Sequence, residues 1–394
     1  MKQIFDNTEI ALALKSDSEL DRAYFLFKMI NKEPLVKIGA AVTKFALNAN
    51  LPVENLIRST VFDHFCGGIN EEDCLKGINK MYTKNMHTVL DYSVEGKEEE
   101  EQFDYAVQKT LSTLEYAKNH KAIPFVVFKP TGFGRFEIYQ KLTERITLSD
   151  LEHEEWDTIK KRFHTVCKKA YDSDIPVLID AEESWMQDAG DDLIEEMMMT
   201  YNKKRALIFN TLQAYRWDRL DYLKNLHQRA KIKGFKIGMK LVRGAYMEKE
   251  RERAFKKAYK DPICVNKNAT DNLYNDTLKY IVGNLNDIEL FAGTHNEESS
   301  YLLMNLLEQK NIYQNDKRVW YGQLYGMSDH ISYNLSENGY NVAKYLPFGP
   351  VRDVMPYLIR RAEENTSVAG QTSRELFLIK NEKERRSQLK KQMF

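Results

Sequence analysis

Cysteine is scarce in this chain. The four that occur, Cys66, Cys74, Cys167 and Cys264, form no Cys-x-x-Cys pair and have no histidine at zinc-finger spacing, so neither a disulfide framework nor a metal site is implied, and buried free thiols are expected. Neither sign of charge is in excess: 58 Lys plus Arg balance 58 Asp plus Glu, so no bulk field recruits nucleic acid or an acidic partner. No apolar run reaches the length that crosses a bilayer. The opening MKQIFDNTEIALALKSDSELDRA mixes acids into its first turns, unlike a secretory signal or an acid-poor transit peptide. The expectation is a cytoplasmic protein of bacterial type. Low-complexity linkers and short-period repeats are also missing.

What is present is a globular balance, 43% apolar and 29% charged residues, enough to bury a large core. Residues 1–85 carry apolar positions at helical spacing, as in AVTKFALNANL and ENLIRSTVFDHF, and read as a helical extension that braces the rest of the fold. Eight strand-like segments come next: HTVLDYSV (87–94), PFVVFK (124–129), PVLID (176–180), ALIFNTLQAY (206–215), KIGMKLVRG (236–244), IELFAGTH (288–295), RVWYGQLYG (318–326) and NVAKYLPFG (341–349). Helical stretches separate most of them, and strands alternating with helices predict a parallel sheet. Eight such units predict an α/β fold, a (β/α)8 barrel over residues 86–375 with its last helix over the mouth. A doubly wound open sheet is the alternative. Its phosphate-binding fingerprint is missing, because TGFGRFEIY offers only Gly132 and Gly134, read as loop punctuation. Residues 376–394 are densely charged and read as a solvated tail, whose bases allow a peripheral contact with the inner face of the cytoplasmic membrane.

In such a barrel the chemistry lies at the carboxyl ends of the strands. Lys129, Asp180 with Glu182 and Glu183, Gln213, and Thr294, His295 and Asn296 each stand just past an apolar run. After the eighth run, VRDVMPYLIRRAEEN places Val351, Met355, Leu358 and Ala362 on one apolar stripe. Tyr357, Arg360, Arg361 and Glu364 share a second, polar face. Two guanidiniums there suit the forked recognition of a small carboxylate; a salt-bridged surface helix is the plainer reading. In KLVRGAYMEKER, Gly244 permits close backbone approach, and Lys240 or Arg243 stands ready for a cofactor's polar edge or phosphates, or simply lines a basic turn.

The segments FKPTGFGRF, LIDAEES, LQAY, KLVRGAYMEKER, GTHN, GQLYGM, KYLPFGP and PYLIRRAEEN, in that order over residues 85–370, together resemble the proline dehydrogenase family, in wording nearest to its monofunctional branch. The resemblance implies FAD as cofactor and L-proline as substrate, oxidised to Δ1-pyrroline-5-carboxylate by hydride transfer from C5 to flavin N5, with electrons passed to a membrane quinone. With no aldehyde dehydrogenase module following, only this first step of proline catabolism to glutamate is expected. It further implies that Arg360 and Arg361 pair with the substrate carboxylate, with Lys129 opposite, and that Asp180 is the active-site aspartate. Leu324, Tyr345 and Tyr357 would enclose the five-membered ring. Glu364 would orient an arginine and Glu95 would close an ion pair with Arg360. Around the flavin the resemblance places Ala181, Gln213, Arg243, Gly244, Ala245, Tyr246, Lys267, Thr294 and His295. Lys240 falls where the bifunctional bacterial members carry an arginine near flavin N5. Three rivals stay in view. Hydroxyproline oxidation is disfavoured by the phenol of Tyr345, which leaves little room for a ring hydroxyl; the others are a different flavin barrel such as methylenetetrahydrofolate reductase, and a non-catalytic flavin-binding sensor.

Overall fold

The computed structural model describes residues 3–30, 58–93, 99–367 and 371–392. All eight expected strands form: β1 (His87–Tyr92), β2 (Phe125–Phe128), β3 (Val177–Ile179), β4 (Ile208–Gln213), β5 (Ile237–Val242), β6 (Ile288–Gly293), β7 (Val319–Leu324) and β8 (Val342–Phe348). They close in sequence order into a parallel barrel, which excludes the open doubly wound sheet. Every residue of β2, β3, β4 and β8 is buried. That is why these strands are written as continuous apolar runs: both faces are covered, so no alternation is needed.

By packing, the chain divides into two units, Met1–Glu95 with Gln323–Phe394, and Gly96–Gly322. In the second unit, Phe125 meets Phe209, Phe291 and Trp320 edge to face at 5.8, 5.3 and 5.1 Å, so one aromatic cluster joins β2, β4, β6 and β7. Gly322 is what admits Phe291, since a Cβ there would stand 2.1 Å from that ring. The helix Asp150–Ser173 starts at a full capping box of Ser149 and Glu152. The helix Arg219–Lys233 stops at Gly234 with φ 67°. Arg219 and Asp191, both buried, pair at 2.8 Å.

In the first unit, β1 and β8 pair from His87 opposite Ala343 to Tyr92 opposite Phe348. The helices Thr8–Ala11 and Glu71–Tyr82 begin at Asn7 and Asn70, whose side chains accept the N–H groups of Ile10 and Asp73. The helix Val351–Ser367 packs Val351, Val354, Met355, Tyr357 and Leu358 into one cluster with Ile30, Phe62, Phe65, Cys66 and Met327. Tyr357 therefore lies with the apolar stripe rather than on the polar face expected for it. A phenyl body gains more from burial than a single hydroxyl loses, and the helical period alone does not tell which side of the boundary Tyr takes.

The final residues also differ from expectation. Residues 376–392, read as a solvated tail, lie in the helix Gln371–Gln392, with Leu378 and Ile379 buried. Glu382 is buried too, held by Arg385 and Arg386 at 2.8 Å each and by the Thr8 hydroxyl at 2.9 Å. Lys383 reaches Asp21 and Lys390 reaches Asp17, each at 2.6 Å. The charge density is met by acids of the amino-terminal helices, a complementarity that local composition does not reveal. All four cysteines are buried free thiols, and among the described residues no helix is long and apolar enough to cross a membrane.

Candidate active site

In the unit Gly96–Gly322, polar groups converge past the ends of β3, β4, β5 and β6. Lys240 sits within β5 at 5% exposure, where an ammonium needs a counter-charge. Asp180, the first residue after β3, supplies it: Lys240 Nζ donates to Asp180 Oδ1, while the Asp180 N–H is anchored on the Phe128 carbonyl at 3.0 Å. Two residues on, Glu182 is 6% exposed. Its carboxylate accepts the N–H and hydroxyl of Thr131 at 3.0 and 2.7 Å. Burial pushes Glu182 up to about 7, with the charge of Lys129 and the Thr131 hydrogen bonds pulling the other way. A carboxyl poised there changes charge within the working range of an enzyme.

Gln213 ends β4 at 3% exposure. Its Nε2 donates to the Glu182 main-chain carbonyl at 3.0 Å, whereas Oε1 is buried with no hydrogen-bond partner among the described residues. Just past β5, Arg243 spreads its fork over three partners, Asp271 at 2.7 Å, the Thr294 hydroxyl at 2.8 Å and the Ser299 hydroxyl at 3.0 Å. Its guanidinium also lies 4.4 Å from the centre of the Tyr274 ring. Burial pushes Asp271 up, but Lys267, at 2.5 Å, and Arg243 together hold it below its ordinary value. Gly244 follows with φ 132°, and a Cβ there would stand 2.5 Å from the Tyr215 ring, so the turn admits only glycine. Ala181 is buried, Ala245 is exposed, and Tyr246 and His295 are half-buried.

These residues fit the expected FAD. The bare oxygen of Gln213 suits a ring N–H, Arg243 and Lys267 suit the charge of a pyrophosphate, and the glycine-alanine turn leaves backbone open to a ligand. Of the expected flavin and catalytic residues, the structure brings Asp180 to Lys240, and Arg243 to Thr294 and, through Asp271, to Lys267. Glu182 ties Gln213 to the Lys129 side.

In the other unit, the Tyr325 N–H donates to the Tyr345 carbonyl at 2.8 Å, which sets Leu324 and Tyr345 on adjoining strands. Leu324 also packs against the cluster that holds Tyr357. Tyr345 is buried, and the half-buried Arg360 places its guanidinium 6.0 Å from the Tyr357 ring centre. Glu95 and the side chains of Arg361 and Glu364 lie outside the described residues.

Sequence reasoning gave no role to Asp271, Ser299 or Tyr274, the groups that fix Arg243. The i, i+4 spacing of Lys267 and Asp271 was a visible signal for one pair; nothing local links either to Arg243, 28 positions from Asp271.

The proline dehydrogenase family model matches residues 74–374. The chain belongs to the proline dehydrogenase family. Among curated relatives of this family member, the carbapenem antibiotics biosynthesis protein CarD of Pectobacterium carotovorum subsp. carotovorum is 37% identical over 329 residues, 83% of this chain and 85% of that one. The mitochondrial proline dehydrogenase 1 of Homo sapiens is 38% identical over 222 residues, 56% of this chain and 37% of that one. In structure, proline utilization A from Bdellovibrio bacteriovorus, inactivated by N-propargylglycine, superposes with a TM-score of 0.71 at 21% identity, covering 93% of this chain and 36% of the other. At that identity the likeness speaks for the fold. The chain thus spans little more than a third of the human and Bdellovibrio proteins.

Proposed function

We propose that this protein oxidises L-proline to Δ1-pyrroline-5-carboxylate with FAD, the first step of proline catabolism to glutamate. Bound flavin supplies a two-electron acceptor at N5 for the hydride leaving proline C5. The residues then have separable tasks. Arg360 and Arg361 grip the substrate carboxylate through forked hydrogen bonds, and Lys129 adds a third cation, because a zwitterion entering a dry site needs its carboxylate met by charge. Leu324, Tyr345 and Tyr357 form walls that hold the ring in a reactive pose. Glu364 orients an arginine, and Glu95 closes over the substrate by pairing with Arg360.

Asp180 keeps Lys240 in place, so that a fixed cation stands where negative charge develops on the acceptor. Gln213, Arg243, Lys267, Thr294, His295 and the turn Gly244–Ala245–Tyr246, with Ala181, hold the cofactor. Proline's ammonium must shed its proton before C5 can release hydride, so turnover rises with pH over the acid range. Electrons leave to a membrane quinone, from a cytoplasmic protein in peripheral contact with the membrane.

The observation that carries this reading is the buried oxygen of Gln213, without a hydrogen-bond partner among the described residues, in a side chain bonded to Glu182, two positions along the chain from the Asp180 that pairs with Lys240, in a member of the proline dehydrogenase family. The test is an absorbance spectrum of the purified protein before and after anaerobic proline. Flavin bands that bleach support the proposal; a colourless protein that takes up no added FAD, or a yellow one that proline leaves unchanged, overturns it.

A role in carbapenem antibiotic biosynthesis is the second reading, favoured by a match that spans 85% of the CarD relative. Deleting the gene separates the two. Lost growth on proline as nitrogen source supports catabolism, and unchanged growth with lost antibiotic supports the other.

A further inference from the structure

The five residues Leu324 to Ser328, which leave β7, are tied by buried polar groups that the proposed chemistry does not use. Lys344, inside β8, is 0% exposed. Its Nζ donates to the carbonyls of Leu324, at 3.4 Å, and Met327, and lies 2.9 Å from Asp329 Oδ1. The other oxygen of Asp329 meets Lys15 at 3.3 Å. The Tyr325 N–H donates to the Tyr345 carbonyl, a His64 ring nitrogen bonds the Gly326 carbonyl at 3.0 Å, and the Glu375 carboxylate accepts the Ser328 N–H at 2.5 Å. Each of the five residues thus has a backbone group fixed, and two of them, Gly326 with φ 77° and Ser328 with φ 52°, are left-handed. A serine does not take that conformation without reason.

A connection this short turns without any charge. Burying an ion pair usually stabilises no better than apolar side chains of the same volume, and the better-supported reason to keep one is conformational specificity. The backbone that Lys344 holds begins at Leu324, and the residue beside Lys344 in β8 is Tyr345.

We propose that the Asp329–Lys344 pair is a specificity device that fixes Leu324 and Tyr345 as close-fitting walls, admitting an unsubstituted five-membered ring and rejecting one that carries a hydroxyl. The inference rests on the reading of those two residues as substrate walls. Asp329 is the counter-ion without which Lys344 would lose its charge or leave, and in either case release the Leu324 carbonyl. Both are positioning residues, since neither touches the ring.

The test replaces the pair and the second cation on Asp329 with apolar side chains, Asp329→Leu with Lys344→Met and Lys15→Met, which leaves none of the three charges without its partner; Asp329→Glu, which keeps all three charges and shifts one by a methylene, is the second variant. Flavin content is expected to stay at the wild-type level, and the melting temperature of the apolar variant to fall by a few degrees, because the Leu324 and Met327 carbonyls lose their buried donor. The ratio of kcat/KM for L-proline to that for trans-4-hydroxy-L-proline is expected to fall about tenfold or more, with KM for proline moving further than kcat, and the amides of Tyr325–Ser328 exchange with deuterium faster. Folded variants that keep the wild-type ratio and the wild-type exchange overturn the inference. A wild-type protein that oxidises neither ring counts against the proposed function instead, and the exchange of those four amides then decides the positioning role by itself.

Discussion

Gln213 Nε2 donates to the main-chain carbonyl of Glu182 across 3.0 Å, and that bond fixes which end of the amide is left over. The oxygen is the end that lacks a partner among the described residues. A buried acceptor left bare is unfavourable by roughly 1–3 kcal/mol, and a ligand that donates to it recovers that energy on binding.

Gln213→Leu should therefore keep the fold and lose cofactor. Flavin affinity is expected to weaken about 10- to 100-fold, in line with that hydrogen-bond energy, read as the flavin-to-protein ratio after dialysis. Full retention of flavin would place the amide elsewhere than at the cofactor.

Glu182 gives a pH signature. Burial raises its folded value to about 7 from 4.5, so between those values the folded state binds more protons than the unfolded one. Stability consequently falls as pH rises through this window. Glu182→Gln removes the slope. Between pH 4 and 8 the wild type should lose about 3 kcal/mol relative to the variant, measured by urea unfolding at each pH. Parallel profiles would show that Glu182 ionises as an ordinary surface carboxyl.

On the proposed function, Arg361→Met should abolish proline turnover while the protein still purifies yellow, because that reading assigns the guanidinium to the substrate and not to the cofactor. Removing one partner of a hydrogen-bonded charge pair from a desolvated site is unfavourable by about 2–5 kcal/mol, so a carboxylate clamp that includes Arg361 predicts that proline affinity falls by more than about thirtyfold. Wild-type proline binding in that variant contradicts the carboxylate clamp.

Gly244→Ala places a Cβ 2.5 Å from the Tyr215 ring at a φ of 132°. Strain of about 1–3 kcal/mol plus the clash should lower the melting temperature by several degrees and loosen the turn that leads into the helix Met247–Lys257. Gly132→Ala, where nothing lies within 4 Å, serves as the control and should leave both flavin content and melting temperature unchanged.

The barrel was readable from the chain because its signal is local and repeated. Each strand is a short apolar run, each crossover has helical periodicity, and handed β-α-β units leave few closures to choose from. Strand-end polar residues such as Asp180, Gln213 and Thr294 were readable for the same reason, since the fold assigns their end of the barrel before any contact is known.

The sequence by itself determined the period of each element and therefore the eightfold parallel barrel, its family membership and the strand ends that carry polar groups. Only the tertiary structure decided that Tyr357 packs inward, that the charged last helix is docked through Glu382, that Arg243 is held by Asp271 and Ser299, and that Lys344 and Asp329 pin the segment after β7. The division is physical. Periodicity is set by neighbours three or four residues apart, whereas a buried charge is satisfied by whichever opposite charge the fold brings near, tens or hundreds of residues away.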